Sequence, residues 1–191
     1  MNTKSIMIVG VGGQGTLLAS RVLGHLFMDA GYDVKVSEVH GMSQRGGSVV
    51  TYVRFGERVA SPIIDEGQAD YIISFELLEA ARYLPYLKEG GKLISNSQQM
   101  DPMPVITGAT VYPENIESRI AALGVDADIF DALSLARAAG SAKAVNIVLL
   151  GRFSHYFDFS PEAWDAALHD VIPAKFLAMN LKAFETGRTS V

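Results

Sequence analysis

SIMIVGVGGQGTLLASRVLGHLFMDAGYDVKVSEV, Ser5 to Val39, decides the fold. Ile6 to Val9 is a short apolar run, the pattern of a strand buried on both faces. A glycine-rich turn, Gly10 to Gly15, follows it. Leu17, Leu18, Val22, Leu26 and Phe27 then recur at helical spacing. Gly31 stands where a helix C-cap is wanted, and Val34 and Val36 alternate with polar neighbours as a second strand. The unit has the length of a strand–helix–strand crossover.

Working outward, SVVTYVRFGERVASPII (residues 48–64) has apolar runs on both sides of Phe55-Gly56-Glu57 and reads as a hairpin, which would make the sheet mixed. ADYIISFE (69–76) is another buried strand. LLEAARYLPYLKEG (77–90) reads as a helix kinked at Pro85 and ended near Gly90, and GKLISNS as the next strand. Residues 98–115 form a proline- and glycine-marked connection with a strand-like centre. A short helix at IESRIAALG and a mixed strand and helix at DADIFDALSLARAAG come next. In SAKAVNIVLLGRF, Ala144, Ile147, Val148 and Gly151 share one helical face. SPEAWDAALHDVI opens with an N-cap serine and a proline at the first helical position, and PAKFLAMNLKAFETG is a last amphipathic helix. This alternation predicts one three-layer α/β domain over residues 1–191, with a mostly parallel sheet and helices at the C-terminus.

Composition narrows the function. Of 191 residues 49% are apolar, enough for a sizeable core, and the net charge of −5 offers no basic field to nucleic acid or an anionic membrane. No apolar run approaches the roughly 18 residues of a membrane span, and MNTKSIMIVG leads directly into a strand, so a cytoplasmic location is expected. Cysteine is absent, which excludes disulfides, thiolate nucleophiles and cysteine-ligated iron–sulfur clusters on this chain. His25, His40, His155 and His169 show no metal-ligand spacing, so no metal is expected.

Gly10, Gly12 and Gly15 match GxGxxG between a strand and a helix. Such glycines let the backbone approach a phosphate, to which the helix start offers free N–H groups and a partial positive charge. Glu38 lies 23 residues after Gly15, where a ribose-binding acid would stand, so a free-standing NAD- or nucleotide-binding protein is one reading. The plain alternative is that the glycines only permit a close turn. Gly13 and Gln14 add groups that an ordinary dinucleotide loop does not need.

HGMSQRGG, His40 to Gly47, is the second unusual segment. Arg45 offers a planar fork suited to carboxylate or phosphate, and Gly46 and Gly47 can expose backbone amides to the same anion. His40, Ser43 and Gln44 add hydrogen-bonding capacity at a strand end, where open α/β sheets bind ligands. A surface loop with a capping arginine is the simpler reading. His40 is either a general base or a structural hydrogen-bonding residue. Glu38 either orients a ligand hydroxyl or pairs with Arg45 or Arg54, while Arg54 on a strand is structural. Asn146, on an apolar helix, needs a partner and either caps a backbone group or faces the site. The small residues Ala138 to Ala142 would allow close approach of a ligand or a partner, or serve ordinary packing. The aromatic cluster Phe153 to Phe159 is either core or a partner-facing patch, with Trp164, Phe176, Leu177, Leu181 and Phe184 as further candidates for that patch.

GVGGQG followed by EVHGMSQRGGSVVTYVR, with NIVLLGRF and NLKAFETG later, resembles the gamma subunit or domain of the 2-oxoacid:ferredoxin oxidoreductases, nearest to the indolepyruvate branch. The likeness spans nearly the whole chain. It implies a Rossmann-like domain in an enzyme that decarboxylates a 2-oxoacid on thiamine diphosphate, passes electrons through iron–sulfur clusters to ferredoxin, and releases the acyl group as its coenzyme A thioester. With no cysteine and no GDG thiamine diphosphate motif, this chain would leave both cofactors to a large partner subunit and be inactive alone, with no catalytic residue of its own. The resemblance associates coenzyme A with this domain. Gly10, Gly12, Gly13, Gln14, Gly15, His40, Ser43, Gln44, Arg45, Gly46 and Gly47 are then the candidate anion site, unless 40–47 is mainly a docking loop.

Overall fold

The computed structural model describes residues 3–38 and 46–190. Six strands form one sheet: β1 (Lys4–Val11), β2 (Asp33–Glu38), β3 (Ser48–Gly56), β4 (Ala69–Ser74), β5 (Leu87–Asn96) and β6 (Asp126–Phe130). Their spatial order is β2-β3-β1-β4-β5-β6. β1, β4, β5 and β6 pair in parallel, whereas β3 runs antiparallel to both β1 and β2. The mixed sheet expected from the sequence is present, but its cause is different. The run after Gly56 does not return as a strand. Arg54 on β3 donates through Nη1 to the carbonyls of Ser61 and Ile63 at 3.0 and 2.9 Å, and Val59 and Ile64 are buried from a loop. The antiparallel partner of β3 is β2.

Eight helices complete the described chain: α1 (Thr16–Asp29), α2 (Leu77–Tyr83), α3 (Met103–Ile106), α4 (Ile116–Ala122), α5 (Ala132–Ala139), α6 (Val145–Phe153), α7 (Pro161–Val171) and α8 (Ala174–Thr189). Period-2 alternation along β1 divides the core. Ile6 and Ile8 point to a cluster built with α1, α5, α6, α7 and α8, whereas Met7 and Val9 point to one built with α2 and α4. This is the three-layer arrangement expected. α2 is shorter than its sequence pattern suggests. It ends at Tyr83, a 3-10 turn spans Leu84–Tyr86 around Pro85, and β5 already begins at Leu87, through the segment read as helix. The centre of 98–115 is the single turn α3, not a strand. Ser160 caps α7 by accepting from the Ala163 amide, with Pro161 first in the helix, as the sequence indicates.

The aromatic cluster is core. Phe153 is fully buried, and the Phe157 and Phe159 rings lie 5.8 Å from Phe27, which itself stacks on Phe55 with centroids 3.7 Å apart. Trp164 packs on Phe184, so of the apolar C-terminal residues considered for a partner patch only Phe176 is exposed.

At the N-terminal end of β4, Asp70 is buried and accepts from Lys88 Nζ (2.6 Å), the Ser5 amide (2.9 Å) and Lys4 Nζ (3.2 Å). Burial opposes its ionisation, but these hydrogen bonds outweigh burial and hold the carboxyl below its ordinary 3.8. Its stabilisation is therefore complete above 3.8 and is lost as pH falls through the lower folded value. Asp70→Ala should cost about 1–2 kcal/mol at pH 7, the exposed lysines keeping the figure small. In urea titrations the difference from the parent should shrink as pH falls from 3.8 through the lower folded value.

Candidate functional site

The helices that follow β1 and β4 pass to opposite faces of the sheet, α1 to one and α2 to the other. The C-terminal ends of β1 and β4 are therefore the switch point of the sheet, where a crevice opens. The loop Gly12–Gly15 stands there. Gly15 (φ 90°) turns the chain into α1, and a Cβ on it would lie 2.6 Å from Asn146 Nδ2. Asn146, buried at the start of α6, donates through that nitrogen to the Gly15 carbonyl at 3.2 Å, and its Oδ1 accepts from the Ile147 amide. Of its two anticipated roles, Asn146 takes the backbone-capping one, at the loop itself.

Gln14 is turned into the protein. Its Oε1 accepts from the Val11 amide at 2.7 Å, and its Nε2 donates to the Phe75 carbonyl at 3.0 Å and lies 3.3 Å from Met100 Sδ. Gln14 thus shapes the loop from behind and is not among the residues that line the hollow in front of it. That hollow, about 260 Å³, is lined by Gly12, Gly13, Gly15, Thr16, Leu17, Val49 and Thr51. The first turn of α1 directs N–H groups outside the helix ladder at this place.

β3 brings the last two residues of the second unusual segment, Gly46 and Gly47, back to the first. The Gly12 amide donates to the Gly47 carbonyl at 2.8 Å, and Gly46 has φ 97°. Gly46 and Gly47 therefore adjoin the glycine loop, while His40, Ser43, Gln44 and Arg45 lie outside the described residues. Glu38 is not at the hollow. Because β3 is inserted between β1 and β2, Glu38 stands one strand further out, by about 4.8 Å. It accepts from the Ser20 hydroxyl at 3.1 Å and lines a separate depression with Arg21, Gly24, His25, Met28 and Val36.

The loop is braced by residues not singled out in the sequence. Glu76, 1% exposed, caps α2 through the Glu79 amide (2.9 Å) and also accepts from the Met100 amide (3.0 Å) and the Tyr112 hydroxyl (2.5 Å). Burial, and then the hydrogen bond to Glu76, push the Tyr112 phenol well above its ordinary value, so it stays a donor. Asn96 donates to the Phe75 carbonyl, which Gln14 shares, and accepts from the Ala132 amide. Glutamate is not among the usual N-cap residues, so Glu76 carried no capping signal. Asn96 and Tyr112 carried no local signal. Among the described residues no cluster of His, Asp or Glu could hold a metal ion, and no helix is long and apolar enough to cross a membrane.

A glycine loop at the switch point of a three-layer α/β sheet, met by an antiparallel strand that returns a second glycine pair beside it, is the architecture of a Rossmann-like domain. Its membership is narrower. Residues 5–190 match the family model for pyruvate ferredoxin/flavodoxin oxidoreductase, and the chain belongs to that family. Among its relatives, the indolepyruvate oxidoreductase subunit IorB of Thermococcus kodakarensis is 43% identical over 98% of this chain and 95% of its own length. That of Archaeoglobus fulgidus is 37% identical over 96% and 92%. The same fold occurs in the gamma subunit of a keto/oxoacid ferredoxin oxidoreductase from Geobacter sulfurreducens, with a TM-score of 0.71, 24% identity and coverage of 97% and 96%. It also occurs in 2-oxoglutarate:ferredoxin oxidoreductase from Magnetococcus marinus, solved with 2-oxoglutarate, coenzyme A and succinyl-CoA bound. There the TM-score is 0.75 at 20% identity, over all of this chain but 32% of that one.

Proposed function

We propose that this chain is the small, thiamine-free subunit of a ferredoxin-dependent 2-oxoacid oxidoreductase of the indolepyruvate type, and that residues 1–191 act in it as one gamma-type domain. The partner is a large subunit that holds thiamine diphosphate and the iron–sulfur clusters, since this chain has no cysteine to ligate a cluster. It oxidatively decarboxylates the 2-oxoacid and passes the electrons to ferredoxin. The small subunit binds coenzyme A, whose thiol accepts the acyl group.

The observation that carries this reading is the hollow at Gly12, Gly13, Gly15 and Thr16, with Gly46 and Gly47 alongside. Backbone amides at a helix start favour a phosphate, and Arg45 adds a bidentate donor two residues before Gly47. The identity to the IorB subunits supports the choice of an indolepyruvate-type substrate. The rival reading, a free-standing NAD-binding protein, loses support because Glu38 is displaced from the loop by β3.

In the assembled complex, Arg45→Ala should raise the KM for coenzyme A about 10–100-fold, the loss of one charge-assisted pair, with kcat changed far less. Calorimetry of coenzyme A with the same complex should show a matching fall in affinity. Unchanged coenzyme A dependence in an assembled complex would overturn this reading, and a variant that fails to assemble would make 40–47 a docking loop instead.

A further inference from the structure

Three of the eight exposed large apolar residues in the described chain fall within nine positions, on the arm that leaves the end of β5. Met103 is 64% exposed, Ile106 65% and Val111 81%. Residues 97–115 carry only two charges, Asp101 and Glu114. The arm is not a loose loop end. The Ser97 amide donates to the Phe130 carbonyl, the Leu77 amide to the Gln98 carbonyl, and Glu76 receives both the Met100 amide and the Tyr112 hydroxyl. A buried carboxylate and several backbone hydrogen bonds thus hold an uncharged apolar surface out into water, which hydrophobic burial alone would disfavour.

Its position says what covers it. Met100 Sδ lies 3.3 Å from Gln14 Nε2, so the arm rises beside the glycine loop, on the crevice end of the sheet. The opposite end, at Lys4, Asp70, Lys88 and Lys92, is charged. In the Magnetococcus marinus enzyme this fold makes up 32% of a longer chain, and in the ketoisovalerate oxidoreductase subunit VorA of Methanothermobacter thermautotrophicus the matched segment, 29% identical over 76% of this chain, makes up 27% of the entire length. In both, about twice this chain's length or more of further polypeptide accompanies the fold. If the hollow at the glycine loop holds the acyl acceptor, the polypeptide that carries the acyl donor must approach that same end.

We infer that the arm Met103–Val111 is the docking surface for the large subunit, with Met103, Ile106 and Val111 as its anchors. Exposed, rigidly presented apolar side chains with few charges around them match the core of a stable interface. The inference rests on the function proposed above for the hollow.

The test is co-purification of this chain with the organism's own thiamine diphosphate-binding large subunit, co-expressed, followed by titration of the two purified subunits. Met103→Glu combined with Ile106→Glu should leave the melting temperature of the small subunit unchanged, because both side chains are exposed. It should weaken the complex at least about 100-fold. Val111→Glu, at the most exposed position, should weaken it by about 10-fold or more and provides a second reading if the double variant folds poorly. Phe176→Glu, exposed on α8, should bind as the parent does. Arm variants that bind as tightly as the parent would overturn the inference alone. A parent chain that binds no large subunit would overturn the proposed function and this inference together.

Discussion

Replacing Gly187 by alanine should lower the melting temperature by about 6–12 °C, corresponding to about 3 kcal/mol in a chain of this size. α6 and α8 touch backbone to backbone. A Cβ built on Gly187 would lie 2.0 Å from the Val148 carbonyl oxygen, and one on Gly151 would lie 2.0 Å from the Phe184 carbonyl oxygen. Neither clash can be relieved by turning a side chain, so the helices must separate and loosen the packing of Phe153, Ala183 and Phe184. Alanine gains about 1 kcal/mol of helix propensity over glycine, which is too little to offset the overlap. Gly151→Ala should behave in the same way. The double variant should cost clearly less than the sum, because the first substitution already parts the helices at the point where the second would clash. Thermal unfolding of the three variants checks this, and a higher melting temperature in either single variant would mean that the helices do not meet as described.

The second large effect is expected at the site. Gly15→Ala should cost about 3 kcal/mol of stability, through two separable causes. The residue sits at φ 90°, and its new Cβ would lie 2.6 Å from Asn146 Nδ2. Left-handed backbone costs a non-glycine residue about 1–2 kcal/mol, and the remainder is the collision with the amide. In an Asn146→Ala background the collision is gone. The added cost of Gly15→Ala should then fall to about 1–2 kcal/mol, which denaturant titration of the four proteins would show. An equal cost in both backgrounds would mean that Asn146 does not pack on the loop.

These two glycine contacts show what the sequence made legible. GVGGQG announced a turn at a strand end, and NIVLLGRF and NLKAFETG carried a family resemblance. The structure gives part of the last two motifs a physical meaning, because Gly151 and Gly187 are the paired contact of α6 with α8. Strands buried on both faces and helices with clear caps, such as α7 after Ser160 and Pro161, were legible because burial and capping leave local marks. Strand order was not. Val59 and Ile64 are apolar because they are buried, and the sequence does not say whether a buried residue also belongs to a ladder; they anchor a loop held by Arg54. The insertion of β3 between β1 and β2 is likewise a non-local choice. It removed Glu38 from the position where its spacing pointed. Gln14 was correctly placed at the loop by its neighbours, but its inward orientation depends on Phe75 and Met100, which lie 61 and 86 residues away in the chain. Pro85 signalled an interruption, but the helix was expected to run on to near Gly90, because the direct entry into β5 at Leu87 depends on pairing with Ala69.

The most direct test of the account is ferredoxin reduction by the purified large subunit with indolepyruvate and coenzyme A, as this chain is titrated in. The account predicts that neither protein acts alone, that coenzyme A-dependent reduction rises with added chain to a plateau, and that Arg45→Ala shifts the coenzyme A requirement upward. A large subunit fully active without this chain, or a tight stoichiometric complex of the isolated chain with NAD, would contradict it.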